Sequence, residues 1–500
     1  MIAGFAFFHL LTLGQVPQVG TLEGWYVDPA FYHYRFGKFD YTMFPGLVEY
    51  QNGSFGQGNL RFWLQSCSFK LLGFGLVQAR LPMLLGGLLA TYFVFLTSRT
   101  LFGVSAGLFS ALFFIAAPVF YNAHESDAHS WVAASFILAA YFFLRLLSER
   151  RPAFAGLAGF TVGISVSFHL VGSLGVIPLT LVLFYYRLKR ELNTLQVSYY
   201  LLGGLISFAI WYLLTVYPVG IDAFVKKSAY GIGVSKSGYA GNRWVDYFLR
   251  SGRGVIVEFP LLLIVLASYK YWGQEIQAQF FYLFFVGLFI TYTLFVGSAS
   301  PIPVWACLFV LMSGLTVKFL DLAHRRGRLF LSRAWVGMLV FIFVYFFSVQ
   351  VKRAHEAFWK KPGDHYREMT AEIAKHIPEG KTIIGSPLYW FGFVQRNPYI
   401  TQNFYWERMD AQTHELGSFD QQPAPVRARR MMAFLNRRNV AYLIADEYFQ
   451  QALRPWISED EWSKVFTVLG EFQSPIYGAP SGGGRPPYQV QVWRMKEGTM

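Results

Sequence analysis

Between residues 82 and 351 the chain runs through one apolar stretch after another, separated by short polar or basic turns. The hydrocarbon core of a bilayer is about 30 Å thick, so a helix that crosses it needs roughly 20 mostly apolar residues. The stretches 82–98, 101–120, 128–146, 153–168, 170–186, 198–217, 254–269, 279–297, 302–319 and 333–351 meet or approach that length. Two of them are short and sit back to back around His169. The start, Ile2 to Leu13, is also short, lacks a preceding cation and is not followed by a signal-cleavage pattern. It is read as a short first span, giving an expectation of about eleven helices. Only 14% of residues are charged, against about a quarter in a soluble domain. This excludes a disordered chain and a simple soluble enzyme. Cys67 and Cys307 are the only cysteines, which excludes a disulfide scaffold and an all-cysteine metal site.

Charge divides the chain. Lys, Arg, Asp and Glu are more than twice as dense after Val351 as before it. The expected organisation is a transmembrane domain, 1–351, and a soluble α/β domain, 352–500. The net charge is +14, and its placement explains it without nucleic acid. Basic residues of short loops stay on the side from which the chain is inserted. With 15–80 placed outside, alternate loops carry Arg99; Arg145, Arg150 and Arg151; Arg187, Lys189 and Arg190; Lys270; and Lys318, Arg325, Arg326, Arg328 and Arg333. The short loops on the other side, 121–127, around 169 and 298–301, carry none. The domain after Val351 then also lies outside.

The unusual polar residues collect on that outer side. The 15–80 segment is long for a connection, and such segments are functional or disordered; its aromatic content argues against disorder. Asp28-Pro29 has the form of a helix N-cap followed by proline at the first helical position. Its other reading is a carboxylate held at the water–lipid boundary as a general base. A second helix, 61–73, is expected to lie along the interface with Trp63 and Phe69 facing lipid. In the 121–130 loop, Glu125 and Asp127 sit at the mouth of the next helix. His124 and His129 are five apart, not the four of the His-Glu-x-x-His zinc motif, and capping or solvation is the plainer reading. His169 sits alone at the junction of two spans. The 218–253 segment interleaves Lys226, Lys227, Arg243 and Arg250 with tyrosines and Trp244. It reads either as a solvated, headgroup-binding loop or as a clamp for an anionic phosphate.

Taken in order, these features resemble the multi-span glycosyltransferases that use polyprenyl-phosphate sugars: the protein mannosyltransferase and lipid A aminoarabinose transferase group (glycosyltransferase family 39-like, C-type fold). The resemblance is best over 20–185. That group has an Asp-Glu-x-x-Tyr motif in its first outer loop; here Asp28-Pro29-Ala30-Phe31-Tyr32 keeps the Asp and the Tyr and replaces the Glu by Pro29. Phe69 to Pro82 resembles the interfacial helix running into the second span, Thr97 to Gly103 the next inner turn, and Pro118 to Asp127 the second outer loop. Gly58-Asn59-Leu60 departs from the His-Pro-Pro of many relatives. The resemblance implies transfer of a sugar from a polyprenyl-phosphate donor to a glycan, lipid or protein acceptor at the outer face; the few cysteines and the single-chain layout fit a bacterial inner membrane, with the site and the C-terminal domain on the periplasmic side. It casts Asp28 as the base. Asp127, with Glu125, would orient the acceptor or hold a divalent cation, with no metal ligand set assigned. Tyr32, His129 and His169 join Lys226, Lys227, Arg243 and Arg250 as substrate-binding candidates.

The competing class is a transporter or lipid flippase. Such proteins place ionisable residues near the midplane, often in repeated halves. Here charges fall at span ends, Glu258 being an exception, and no internal repeat is visible. In the C-terminal part, 363–377 reads as an amphipathic helix, Pro378 to Gly380 as a turn into a strand at 381–385, 423–438 as a basic helix, and Asn439 to Ala445 as a buried strand. Tyr488 to Met495 alternates at period two, as a half-buried edge strand does. No catalytic constellation is apparent there; contact with the acceptor or cover over the membrane site is the expected role.

Overall fold

The computed structural model describes residues 9–10, 12–14, 19, 23–44, 58–117, 128–226, 228, 259–272, 275–295, 302–355, 365–401, 424–447, 449–450, 459–474 and 488–496. The chain divides into two units. One comprises Met1–Leu13, Asn52–Gly73 and Val77–His355; the other comprises Gly14–Gln51, Phe74–Leu76 and Glu356–Met500.

The first unit is a polytopic helical membrane fold. Among the described residues, seven helices are long and apolar enough to cross a bilayer: Leu76–Phe102, His129–Glu149, Leu170–Leu188, Thr194–Val216, Ile276–Thr293, Ile302–Arg325 and Leu329–Ser348. Val104–Ala116 and Pro152–Phe168 are shorter apolar helices. The reading at 2–13 falls largely outside the described residues, and of 254–269 the helix Phe259–Ala267 is described. Ile302–Arg325 is the inner member, with 83% of its apolar window buried, whereas Leu329–Ser348 is 17% and Thr194–Val216 22% buried. On the last, Leu201, Leu202, Leu205 and Phe208 point outward. Water does not tolerate so large an apolar patch; hydrocarbon does.

Helices in hydrocarbon associate through close packing and hydrogen bonds rather than by escaping water. Pro152–Phe168 packs on Thr194–Trp211 through small residues. A Cβ on Gly203 would stand 2.0 Å from the Gly156 carbonyl oxygen, and one on Gly159 2.1 Å from that of Tyr200. Ser207 Oγ donates to the Phe160 carbonyl (2.6 Å). Two prolines set further contacts. Proline has no N–H, so it orphans the carbonyl four residues earlier. Pro82 frees the Gln78 carbonyl, which accepts from Ser68 Oγ (2.8 Å). Pro178 frees the Leu174 carbonyl, which accepts from Thr291 Oγ1 (3.1 Å).

The second unit contains a five-stranded sheet in the order β2-β1-β3-β5-β4, where β1 is Thr382–Gly385, β2 Tyr399–Thr401, β3 Val440–Asp446, β4 Phe466–Ser474 and β5 Tyr488–Met495. β1, β2 and β3 are parallel, and β5 runs antiparallel to both β3 and β4. The helices His365–Ala374 and Ala424–Arg437 and the strand β3 fall where the sequence pattern places them. β5 does not lie at the edge: it is half-buried because of alternation, yet it is paired on both sides, and β4 takes the edge. Alternation reports which faces are covered, not how many neighbours a strand has.

Candidate functional site

The candidate residues fall into two groups, one in each unit. In the second unit, Asp28 and Tyr32 lie one turn apart on the helix Glu23–Phe36. Asp28 is not an N-cap. It is the sixth residue of that helix, with Pro29 inside it, because the helix begins at Glu23 rather than at the proline. The helix packs on the turn Pro387–Tyr389 that follows β1. Gly24 permits that approach, since a Cβ there would stand 2.4 Å from the Pro387 carbonyl oxygen.

The Asp28 side chain is fully buried. The segment after the helix folds over it, and its two oxygens accept from different donors: Oδ1 from the Thr42 hydroxyl (2.6 Å) and Oδ2 from the Met43 N–H (2.8 Å). Those donors favour the ionised form. Burial outweighs them, with Asp40 adding repulsion, and the carboxyl is pushed up to about 7. Among the described residues no cation forms an ion pair with it. A carboxyl that titrates near neutrality and sits in a dry place has the properties a general base needs. Tyr32 is partly exposed, packs on Phe36 (4.6 Å between centroids) and has Lys38 Nζ 5.8 Å from its ring centre.

In the first unit, the two ends of the bundle differ. At one end the basic loops meet: Arg150 pairs with Glu191 (3.0 Å), Lys318 with Glu275 (3.3 Å), and Gln196 Nε2 donates to the Arg150 carbonyl (2.8 Å). At the other end the rings of His129 and His169 lie 5.0 Å apart. His129 opens the helix His129–Glu149, and His169 breaks the chain between Pro152–Phe168 and the helix that follows. His169 Nδ1 accepts from the Val171 N–H (3.1 Å), which fixes its ring. Nearby, Trp131 Nε1 donates to the Pro82 carbonyl (2.9 Å), Gly58 N–H to the Phe168 carbonyl (3.0 Å) and Asn59 Nδ2 to the Leu214 carbonyl (2.7 Å). The histidines, 40 residues apart in sequence, are thus brought together at the end opposite the basic loops.

The helix Asn59–Leu72 leads into this end. Trp63 is exposed, but Phe69 is buried rather than lipid-facing. At about 100° per residue, positions six apart lie on different faces; Lys70, seven from Trp63, shares its exposed side. Two cations that sequence reasoning did not single out as site candidates, Arg61 and Arg80, are fully buried. Arg80 Nη1 donates to the Leu13 carbonyl (2.9 Å), and the Arg61 guanidinium lies 4.5 Å from the Phe62 ring centre. A charged residue enclosed in a membrane unit is a functional signal in its own right, and their spacing on apolar helices could have raised it. Lys226 is exposed on the helical turn after Gly220. Glu125, Asp127, Lys227, Arg243 and Arg250, together with His124 and Glu258, lie outside the described residues. No group of three or more His, Cys, Asp and Glu converges as a ligand set among the described residues.

Comparison with known proteins follows the same lines. Residues 58–214 match the model of the dolichyl-phosphate-mannose-protein mannosyltransferase family. No curated protein matches the sequence. Among solved structures, ArnT from Cupriavidus metallidurans bound to undecaprenyl phosphate aligns over 98% of this chain and 97% of its own, at 16% identity and a TM-score of 0.62. The Archaeoglobus fulgidus oligosaccharyltransferase in complex with zinc and sulfate aligns over 96% of this chain and 72% of its own, at 16% identity and a TM-score of 0.57. The archaeal oligosaccharyltransferase AglB from the same organism, with an inhibitory peptide and a dolichol-phosphate, covers 99% and 76% at 13% identity and a TM-score of 0.52. The protein has the fold of ArnT along nearly its whole length and carries the mannosyltransferase family pattern over residues 58–214, as the sequence resemblance implies.

Proposed function

We propose that this protein is a membrane glycosyltransferase that moves a sugar, a hexose or a pentose, from a polyprenyl-phosphate donor to a glycan, lipid or protein acceptor. The observation that carries this reading is a fully buried carboxyl, Asp28, pushed up to about 7 at the motif position of a chain with this fold. Transfer requires the acceptor hydroxyl to lose a proton as the sugar–phosphate bond breaks through an oxocarbenium-like transition state. Asp28 takes that proton. Each carboxylate oxygen has two lone-pair positions, so the bonds from Thr42 and Met43 leave lone pairs able to take a proton. A single base with no covalent intermediate inverts the anomeric centre.

The remaining assignments rest on the sequence resemblance and on place in the chain. Tyr32, one turn along the helix from Asp28, binds substrate. Asp127 and Glu125 orient the acceptor or hold a divalent cation, His129 and His169 contact substrate at their end of the bundle, and Lys226, Lys227, Arg243 and Arg250 receive the departing phosphate, where fixed cations act best in a water-poor setting. The domains act as a membrane part, 1–351, and a soluble part, 352–500, both site and soluble part facing the periplasm from a bacterial inner membrane.

A donor panel tests the function. Purified protein in liposomes is given radiolabelled mannose, glucose, galactose or aminoarabinose on undecaprenyl phosphate, with membrane extract as acceptor. Label passing to an extract component supports the reading and names the donor. Label crossing the bilayer while still attached to its lipid would overturn it in favour of a flippase.

A further inference from the structure

The sheet-containing part of the chain reaches Asp28 by two hydrogen-bonded routes, both within the second unit. Trp390 Nε1, at the start of the short helix after β1, donates to Thr42 Oγ1 (3.1 Å), and Thr42 donates to Asp28. Thr401 N–H, at the end of β2, donates to the Met43 carbonyl (3.3 Å), and the Met43 N–H donates to Asp28. An indole N–H can only donate. By occupying a lone pair of the Thr42 oxygen, it leaves the single Thr42 proton to point at the carboxylate.

Trp390 is itself fixed. It is fully buried, edge-on to Phe31 (5.5 Å, 88°) and Phe74 (5.7 Å, 82°). The preceding turn is braced by Tyr366 Oη to the Leu388 carbonyl (2.7 Å), and Tyr399 Oη binds the Ser386 carbonyl (2.6 Å). The charged group acting on Asp28 from its own segment is Asp40. Tyr389 is the one ionisable side chain of the turn Pro387–Tyr389 and the helix Trp390–Phe393, and its hydroxyl is engaged with Asp446 (3.3 Å).

We propose that the C-terminal α/β part is the positioning device of the base: Trp390, acting through Thr42, holds the Asp28 carboxylate in its ionised, correctly aimed form. This rests on the reading of Asp28 as the base. Trp390 and Thr42 act through Asp28 and are positioning residues. The role is distinct from covering the membrane site, because it acts through a hydrogen-bond chain rather than through shape.

The test uses the full chain in liposomes and needs no donor. Infrared difference spectra follow, against pH, the protonated-carboxyl band that Asp28→Asn removes. The native midpoint is expected at about 7. Thr42→Val raises it by about one pH unit, the worth of one hydrogen bond to the charged form, and Trp390→Phe, which keeps the aromatic packing and removes only the bond to Thr42, shifts it in the same direction by less. Thr42→Ser restores the native midpoint. In the transfer assay with the undecaprenyl-phosphate sugars, Thr42→Val loses about fivefold in kcat at pH 7 and Trp390→Phe loses less, and both recover by pH 9, as a base with a raised pKa does. Unchanged midpoints in a well-folded Thr42→Val would overturn the proposal, as would a rate loss independent of pH. Asp28→Asn transferring at the native rate while the midpoint shifts persist would break the base reading alone.

Discussion

The buried hydroxyls of the membrane unit and the buried Asp28 carboxyl of the second unit are satisfied in different ways. In the membrane unit, buried hydroxyls and amides answer backbone carbonyls: Ser68 and Thr291 meet carbonyls freed by Pro82 and Pro178, and Ser207 ties two close-packed helices. Each is a neutral bond that completes a packing contact. In the second unit a carboxyl is enclosed with two neutral donors and no cation paired to it among the described residues. That arrangement opposes stability, because a buried ionised group without a counter-charge is expensive. The first pattern is what a fold needs in hydrocarbon. The second, on the proposed reading of Asp28 as the base, is kept for chemistry.

This contrast predicts a graded set of effects. The largest belongs to Asp28. Asp28→Asn should lower sugar transfer by at least about 100-fold, the usual worth of a positioned base, with the protein still monodisperse.

The next effect is on stability against pH. Below about pH 4 the carboxyl is protonated whether folded or unfolded. Between pH 4 and about 7 the unfolded chain releases the proton and the folded chain keeps it, so stability falls as pH rises, and it levels off above about 7. The loss amounts to an upper bound of about 4 kcal/mol. Chemical denaturation at pH 4.5 and 8 should show this decline in the native chain and not in Asp28→Asn; an identical decline in both would place the titrating group elsewhere.

Third, Gly203→Ala should destabilise the membrane unit by about 1–3 kcal/mol through overpacking, read as a lower melting temperature in detergent. The same change at Gly204, where a Cβ meets nothing within 4 Å, should leave it unaltered.

The smallest effect is that of Ser68→Ala and Thr291→Val, about 1 kcal/mol each for one unmet carbonyl, with no change in the pH dependence of transfer. A shift in that dependence would blur the distinction between packing and chemical polar groups.

The two units also differed in how much the sequence disclosed. Membrane spans are set by length and apolarity, which are local, and the described helices lie where hydropathy puts them. The basic residues of alternate loops do meet at one end, as in the Arg150–Glu191 and Lys318–Glu275 pairs. The β3 strand was visible for the same reason, as a short apolar run. What escaped was non-local. Nothing periodic in residues 14–51 announces that they assemble with residues beyond 356, or that Trp390, 348 positions after Thr42, donates to it. The order of β5 between β3 and β4 is a matter of pairing, to which alternation is blind. Local signals also misled: Asp28-Pro29 has the form of a helix start, yet the helix begins at Glu23 and absorbs the proline. Asp28 stood out only through a five-residue motif, and its enclosure by Thr42 and Met43 could not be read from spacing.

The central claim is that Asp28 abstracts the acceptor proton in a sugar transfer from lipid phosphate. Its most direct test is the rate of transfer from the donor selected in the panel, measured for the full chain in liposomes between pH 5.5 and 8.5, native against Asp28→Asn. The account predicts a native rate that rises through a midpoint near 7 and an Asp28→Asn rate at least about 100-fold lower throughout. A variant that transfers within a few-fold of the native chain, with the same pH dependence, would contradict it.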